Sequence, residues 1–238
     1  MADFVIDPSR TALLTIDFQN LFVEGQLAAP DGLATLERTN RLAASCRMFE
    51  VLVIHTRHVL RADGSNMGIL GELSAAVRAG ILSDGGHATA WHRDLVVEPG
   101  DLLVEKPRYG AFHGTDLELI LRNKQIDTVI VAGIATNICC DTTAREAVAR
   151  DFRVFFLSDG TATGETAGLS ASSMQAATLA TIDDAFGWVL STDQAIEAIA
   201  AGARTGAASV VGATPPPICA TASPPVRAPQ SPQTTRWP

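Results

Sequence analysis

The sequence predicts a three-layer α/β/α domain built on a mainly parallel sheet. Three observations carry this expectation. Strand-length apolar bursts recur along the chain, helix-length segments separate many of them, and the bursts are apolar throughout rather than alternating. Strands covered on both faces have that pattern. Strand–helix alternation then places successive strands parallel, with helices on either side.

The elements follow in order. Residues 11–16 are a first strand that runs into Asp17. Residues 33–49 place Leu33, Leu36, Asn40, Ala43, Ala44 and Met48 near helical spacing. Strands are expected at 51–54, 102–104, 127–132 and 153–157, with a short sixth at 188–190. Helices are expected at 116–123, 142–150, 170–182 and 193–201. Residues 57–100 break the rhythm with many Gly, Asp and His residues and room for one short helix at 70–77. Segments of this kind often form lids or binding loops. From Gly202 the chain turns to Ala, Gly, Pro, Ser and Thr, with Pro215-Pro216-Pro217 and Pro224-Pro225. One domain over residues 1–201 and a disordered, dispensable tail over 202–238 are therefore expected.

Composition narrows the class of partner. With 18 Lys and Arg against 26 Asp and Glu, the net charge of −8 repels phosphate backbones and anionic membranes. No basic cluster of the nucleic-acid type is present. No apolar run reaches spanning length, and the first residues carry neither a basic leader nor an apolar stretch. A small-molecule substrate, no nucleic acid, no membrane and a cytoplasmic location are expected. The four cysteines, Cys46, Cys139, Cys140 and Cys219, are too few for a disulfide scaffold and lack zinc spacing.

The chemistry belongs beyond the carboxyl ends of the strands, where open α/β sheets bind ligands. The strand at 127–132 is followed by a short turn and then a helix that starts near Asn137 or Ile138, which puts Cys139 in a first helical turn. Free amides and the helix dipole there are expected to lower its thiol pKa and to aim N–H groups at an oxyanion. A buried, inert cysteine is the competing reading. Asp17 ends the first strand, as a general base or as a turn cap. Lys106 follows another strand, as the partner of Asp17 or as a solvated surface lysine. Convergence of three strand ends on one cleft favours the functional reading of all three.

Three stretches resemble the isochorismatase-like cysteine hydrolases, over roughly residues 10 to 200. They are Leu14-Thr15-Ile16-Asp17-Phe18-Gln19-Asn20, Glu105-Lys106-Pro107-Arg108-Tyr109-Gly110-Ala111-Phe112, and Gly133-Ile134-Ala135-Thr136-Asn137-Ile138-Cys139-Cys140 followed by Thr143-Ala144-Arg145-Glu146-Ala147. The resemblance implies the isochorismatase-like, Rossmann-like hydrolase fold. It matches Asp17 to the catalytic base, Lys106 to the catalytic lysine and Cys139 to the nucleophile. It also implies a non-proline cis peptide before Ala135 and an oxyanion hole made by the amides of Ala135 and Cys139. Cys140 falls where relatives often have valine and is read as packing.

The implied reaction is hydrolysis of a linear amide, carbamoyl or ureido C–N bond through a thioester, with no cofactor, in a homodimer or homotetramer. Substrate choice stays open. Nicotinamidases carry an Asp and His metal-binding cluster after the second strand; here that stretch is His55-Thr56-Arg57-His58-Val59-Leu60-Arg61-Ala62-Asp63 and departs from the pattern. No metal is expected. His55 is read as a strand residue facing the core. Asn20, Phe22, Arg57, His58, Asn66, Trp91, Tyr109 and Phe112 are candidate substrate-pocket residues. The alternatives are a nicotinamidase, a vinyl-ether-cleaving isochorismatase and a non-catalytic binding module on the same fold. Retention of all three catalytic residues weighs against the last.

Overall fold

The computed structural model of the protein describes residues 4–205. Six parallel strands form one sheet: β1 (Thr11–Ile16), β2 (Leu52–His58), β3 (Leu102–Lys106), β4 (Thr128–Ile134), β5 (Arg153–Ala162) and β6 (Trp188–Leu190). Their spatial order is β3-β2-β1-β4-β5-β6. The helices are α1 (Asn20–Val23), α2 (Gly32–Met48), α3 (Leu70–Leu73), α4 (Ala75–Arg78), α5 (Leu117–Asn123), α6 (Asp141–Val148), α7 (Ala171–Ala185) and α8 (Thr192–Thr205).

Side chains alternate across a strand, so a strand buried on both faces feeds two cores. Leu14, Val129, Val131 and Phe156 pack on one side with Leu121 of α5, Ala144 of α6 and Ile182 of α7. Leu13, Val53, Ile130 and Phe155 pack on the other with Leu42 of α2 and Ile199 of α8. This is the three-layer arrangement expected from the apolar strands.

Several boundaries moved. β2 continues to His58 and β3 to Lys106, four and two residues past their expected ends. β5 runs on to Ala162 through Ser158-Asp159-Gly160, polar residues that hid the continuation. The single helix expected at 70–77 is two one-turn helices. Ser74 between them is extended (φ −136°, ψ 118°), and its hydroxyl caps the Val77 amide. The segment after β2 packs down through Leu60, Leu70, Val77 and Leu82 onto Leu21 of α1. The last helix extends to Thr205, and the tail expectation lies, from residue 206, outside the described residues. Among the described residues, no helix is long and apolar enough to cross a membrane.

β4 lies against β1 at Gly133, which pairs with Ile16. Gly133 has φ 138°, and a Cβ there would run into the Ile16 carbonyl and side chain. Only glycine fits a positive φ at such close approach. Gly133→Ala is expected to destabilise the fold by roughly 2–4 kcal/mol, read by urea denaturation.

Candidate active site

Four neighbouring strands, β3, β2, β1 and β4, each deliver a side chain at the carboxyl edge of the sheet. Lys106 is the last residue of β3 and pairs in register with His58, the last of β2. Asp17 follows β1, and Cys139 lies in the turn after β4. The chain order reverses between β1 and β4, and ligands of open α/β sheets bind at such a point.

Asp17 sits in the left-handed region at φ 56°, an uncommon conformation for a non-glycine residue. Its amide donates to the Thr56 carbonyl (3.1 Å), and its carbonyl accepts from the Gln19 amide (2.7 Å). The side chain is fully buried. Oδ1 accepts from the Thr56 hydroxyl at 2.9 Å. Oδ2 is 2.7 Å from Lys106 Nζ. That contact lacks hydrogen-bond alignment, so Oδ2 keeps an acceptor position for a proton.

Lys106 is also fully buried, and its ammonium donates to the Arg108 (3.1 Å) and Tyr109 (2.9 Å) carbonyls. Burial works against its charge, but Asp17, with Cys139 beside it, outweighs that and holds its pKa above the ordinary lysine value. The reading of Lys106 as a solvated surface lysine therefore gives way to a buried ion pair.

The Ile134–Ala135 peptide is cis. A π-helical turn, Thr136–Cys140, then leads into α6. Cys139 is 5 % exposed. Its Sγ lies within 4.8 Å of an Asp17 carboxylate oxygen, and Asp17 and Lys106 both act on it electrostatically. The expected lowering of its pKa is reversed: burial pushes the thiol up to about 12, Lys106 pulls it down and Asp17 pushes it further up. The desolvation of a closed site exceeds what a helix terminus offers a thiolate. Cys140 is fully buried within the core.

The other predicted residues distribute differently. A ring nitrogen of His58 lies within 4.8 Å of Asp17 and Cys139 donor atoms. Tyr109 stands edge-on to His58 at 5.8 Å. Arg57 points to the opposite face of β2, ion-paired with Glu105 and Asp84 and stacked on Trp91. Asn66 caps the Arg61 amide at 2.8 Å. Phe112 belongs to the main core, against Phe152. Asn20 bonds the His87 carbonyl at 2.9 Å. It edges a cavity of about 220 Å³, shared with Glu24, His87 and Arg93. Phe22 and Trp91 pack on one small cluster with Ala135. His55 is a satisfied core histidine, bonded to Thr15 (2.6 Å) and Asp101 (3.0 Å).

Three residues quoted in the motifs prove to be clamps. Gln19 accepts from the His58 amide (2.7 Å) and donates to the His58 (3.1 Å) and Thr89 (2.8 Å) carbonyls. The Thr143 hydroxyl donates to the Cys139 carbonyl (2.7 Å) and accepts from the Ala111 amide (3.1 Å). Glu146 accepts from the Phe112 amide at 3.0 Å. Residues 108–112 are thus tied to both the lysine and the cysteine turn.

Among the described residues, the group with metal-ligand spacing is Asp17, His58 and Cys139. Lys106 already neutralises Asp17 at 2.7 Å and repels a second cation. After β2, His55 is occupied by Thr15 and Asp101. The donor set does not suit a resident metal ion, and no step is derived through one.

Known proteins carry the same architecture. A family model for the Isochorismatase domain matches residues 11–194. The chain is 37 % identical over 161 residues to nicotinamidase 3 of Arabidopsis thaliana, across 66 % of this chain and 76 % of that one. It is 30 % identical over 203 residues to a ureidoacrylate amidohydrolase of Methylorubrum extorquens, across 77 % of this chain and 80 % of that one. A cysteine hydrolase from Pseudomonas syringae pv. phaseolicola superposes with a TM-score of 0.80 at 34 % identity, over 83 % of this chain and 95 % of that one. The chain belongs to the isochorismatase family, as an α/β hydrolase with a six-stranded parallel sheet.

Proposed function

We propose that the protein hydrolyses an amide, carbamoyl or ureido C–N bond of a small molecule, with Cys139 as nucleophile. The observation that carries this reading is the buried contact of Asp17, Lys106 and the Cys139 thiol. The relatives named for nicotinamide and ureidoacrylate cleavage support the bond type.

As substrate enters, Asp17 Oδ2 takes the thiol proton and Sγ attacks the carbonyl carbon. The Ala135 and Cys139 amides receive the developing oxyanion. Asp17 returns the proton to the leaving nitrogen, releasing ammonia or an amine. Water, deprotonated by Asp17, then cleaves the thioester, and Asp17 passes that proton back to the departing Cys139 sulfur. Because the resting thiol is held protonated, attack and proton transfer occur together on a bound carbonyl. Lys106, 2.7 Å from Asp17 Oδ2, offsets the negative charge that develops on the reacting sulfur.

The test is ammonia release across ureido acids, carbamoyl amino acids, nicotinamide and simple amides. Turnover of a linear ureido or carbamoyl compound, lost in Cys139→Ala, is the expected result. No release from any of them by the folded protein would overturn the reading.

Two further expectations belong here. Turnover persists after exhaustive chelation and is not raised by zinc; loss on chelation with recovery on zinc addition would contradict the donor-set argument. The chain is expected to assemble as a homodimer or homotetramer, on the strength of the family resemblance and of how commonly such chains form symmetric homo-oligomers. Light scattering should return a multiple of the 25.0 kDa chain mass.

A further inference from the structure

His58 is 1 % exposed, yet its Nε2 has no hydrogen-bond partner. An orphaned polar atom at that depth carries a desolvation penalty that a ligand can relieve. The rest of the residue is committed. Its backbone is held on both sides by the Gln19 amide. The Pro107 carbonyl accepts a hydrogen bond from the ring; with Nε2 unpartnered, that bond falls to Nδ1, and Tyr109 closes the ring's edge. A carbonyl accepts only, so the ring proton belongs on the nitrogen that faces Pro107. Nε2 is then a bare lone pair. Burial, with the nearby Lys106 charge, holds the imidazole pKa well below the ordinary histidine value, so the ring stays neutral.

The surroundings do not supply a donor. Asp17 is a carboxylate beside an ammonium. Lys106 directs its ammonium at Asp17 and two backbone carbonyls. The Cys139 thiol makes no hydrogen bond to Nε2, which has no partner. The missing donor must therefore arrive with the substrate. A ring nitrogen of His58 lies within 4.8 Å of both an Asp17 oxygen and Cys139 Sγ. A nitrogen making bonds of about 2.9 Å to two acceptors can bridge such a gap. The leaving nitrogen is the substrate atom that must reach Asp17 to be protonated.

We propose that His58 Nε2 accepts a hydrogen bond from an N–H on the leaving nitrogen, so that the site selects primary and secondary amides or ureides over esters and fully alkylated amides. This rests on the hydrolytic reading of Asp17, Lys106 and Cys139. The bond turns the nitrogen lone pair of the tetrahedral intermediate toward the proton on Asp17. An ester oxygen offers no hydrogen and meets the His58 lone pair with its own.

The experiment uses the full chain and the acyl group turned over fastest in the substrate panel. That group is presented as primary amide, N-methyl amide, N,N-dimethyl amide and methyl ester. Wild type should keep the first two within a few-fold and lose the third. His58→Leu should lower kcat/KM for the primary amide by about 10- to 100-fold and leave the ester within about threefold. His58→Gln, which can return an acceptor to the Nε2 position, should recover part of the amide rate. Equal losses on amide and ester in a folded His58→Leu protein would overturn the proposal and make His58 a base or a structural support. If His58→Leu does not fold, the wild-type series decides: a dimethyl amide cleaved as fast as the monomethyl amide also overturns it. Absence of turnover of every compound would instead remove the hydrolytic reading beneath it.

Discussion

Cys139→Ala should leave a folded protein with turnover reduced on the order of a thousandfold or more. The substitution removes the atom that forms the thioester and little else, because Ala tolerates the π-helical turn and the Thr143 clamp binds the Cys139 backbone carbonyl rather than the thiol. Cys140→Val is the matched control. Cys140 is one residue further along the same turn but packs in the main core, and consecutive helical residues point about 100° apart. Near-constant volume and apolar character should hold its effect to a few-fold. Acid quenching during turnover, followed by peptide fragmentation, should place the acyl adduct on Cys139. An adduct on Cys140, with activity surviving in Cys139→Ala, would reverse the assignment.

The second large effect is at Lys106. Lys106→Met should lose most activity and about 3–5 kcal/mol of stability at neutral pH, because it leaves the Asp17 carboxylate buried without its counter-charge. Asp17→Asn combined with Lys106→Met should regain much of the stability and none of the turnover. That split separates folding from chemistry and is read by urea denaturation beside the ammonia assay. The pH dependence has a definite sign. Lys106 has its pKa raised above the ordinary 10.5 on folding. Its contribution is intact below 10.5 and is lost as pH rises through the higher folded value. On the alkaline side, the stability difference between wild type and Lys106→Met should therefore shrink as pH rises through that value.

Asp17, Lys106 and Cys139 were legible because each follows an apolar burst, and strand ends of a parallel sheet share one edge. Their supports were less so. Thr56 reaches Asp17 from a neighbouring strand, and nothing in its local sequence marks it. The end of β2 decided how 55–58 should be read. With the strand expected to stop at 54, residues 57 and 58 looked like equivalent loop residues. In a strand that continues to His58 they face opposite sides of the sheet. Arg57 then meets Glu105, its register partner, while His58 lies beside Asp17 and Cys139. Phe112 was a candidate pocket wall, but the Thr143 and Glu146 bonds hold its loop to α6, and the ring packs in the main core. The thiol pKa had the wrong sign for a similar reason. A helix terminus is visible in sequence, whereas depth of burial is a property of everything packed around it.

That depth has a bearing on durability. Peroxide attacks thiolates, and enzymes that keep a cysteine ionised at rest are exposed to overoxidation between turnovers. Here burial pushes the thiol pKa up to about 12, so the resting sulfur, 5 % exposed, is protonated. A buried, protonated sulfur offers oxidants little to react with in an idle molecule. The same closure that makes the thiol a weak acid lets the enzyme wait without being spent.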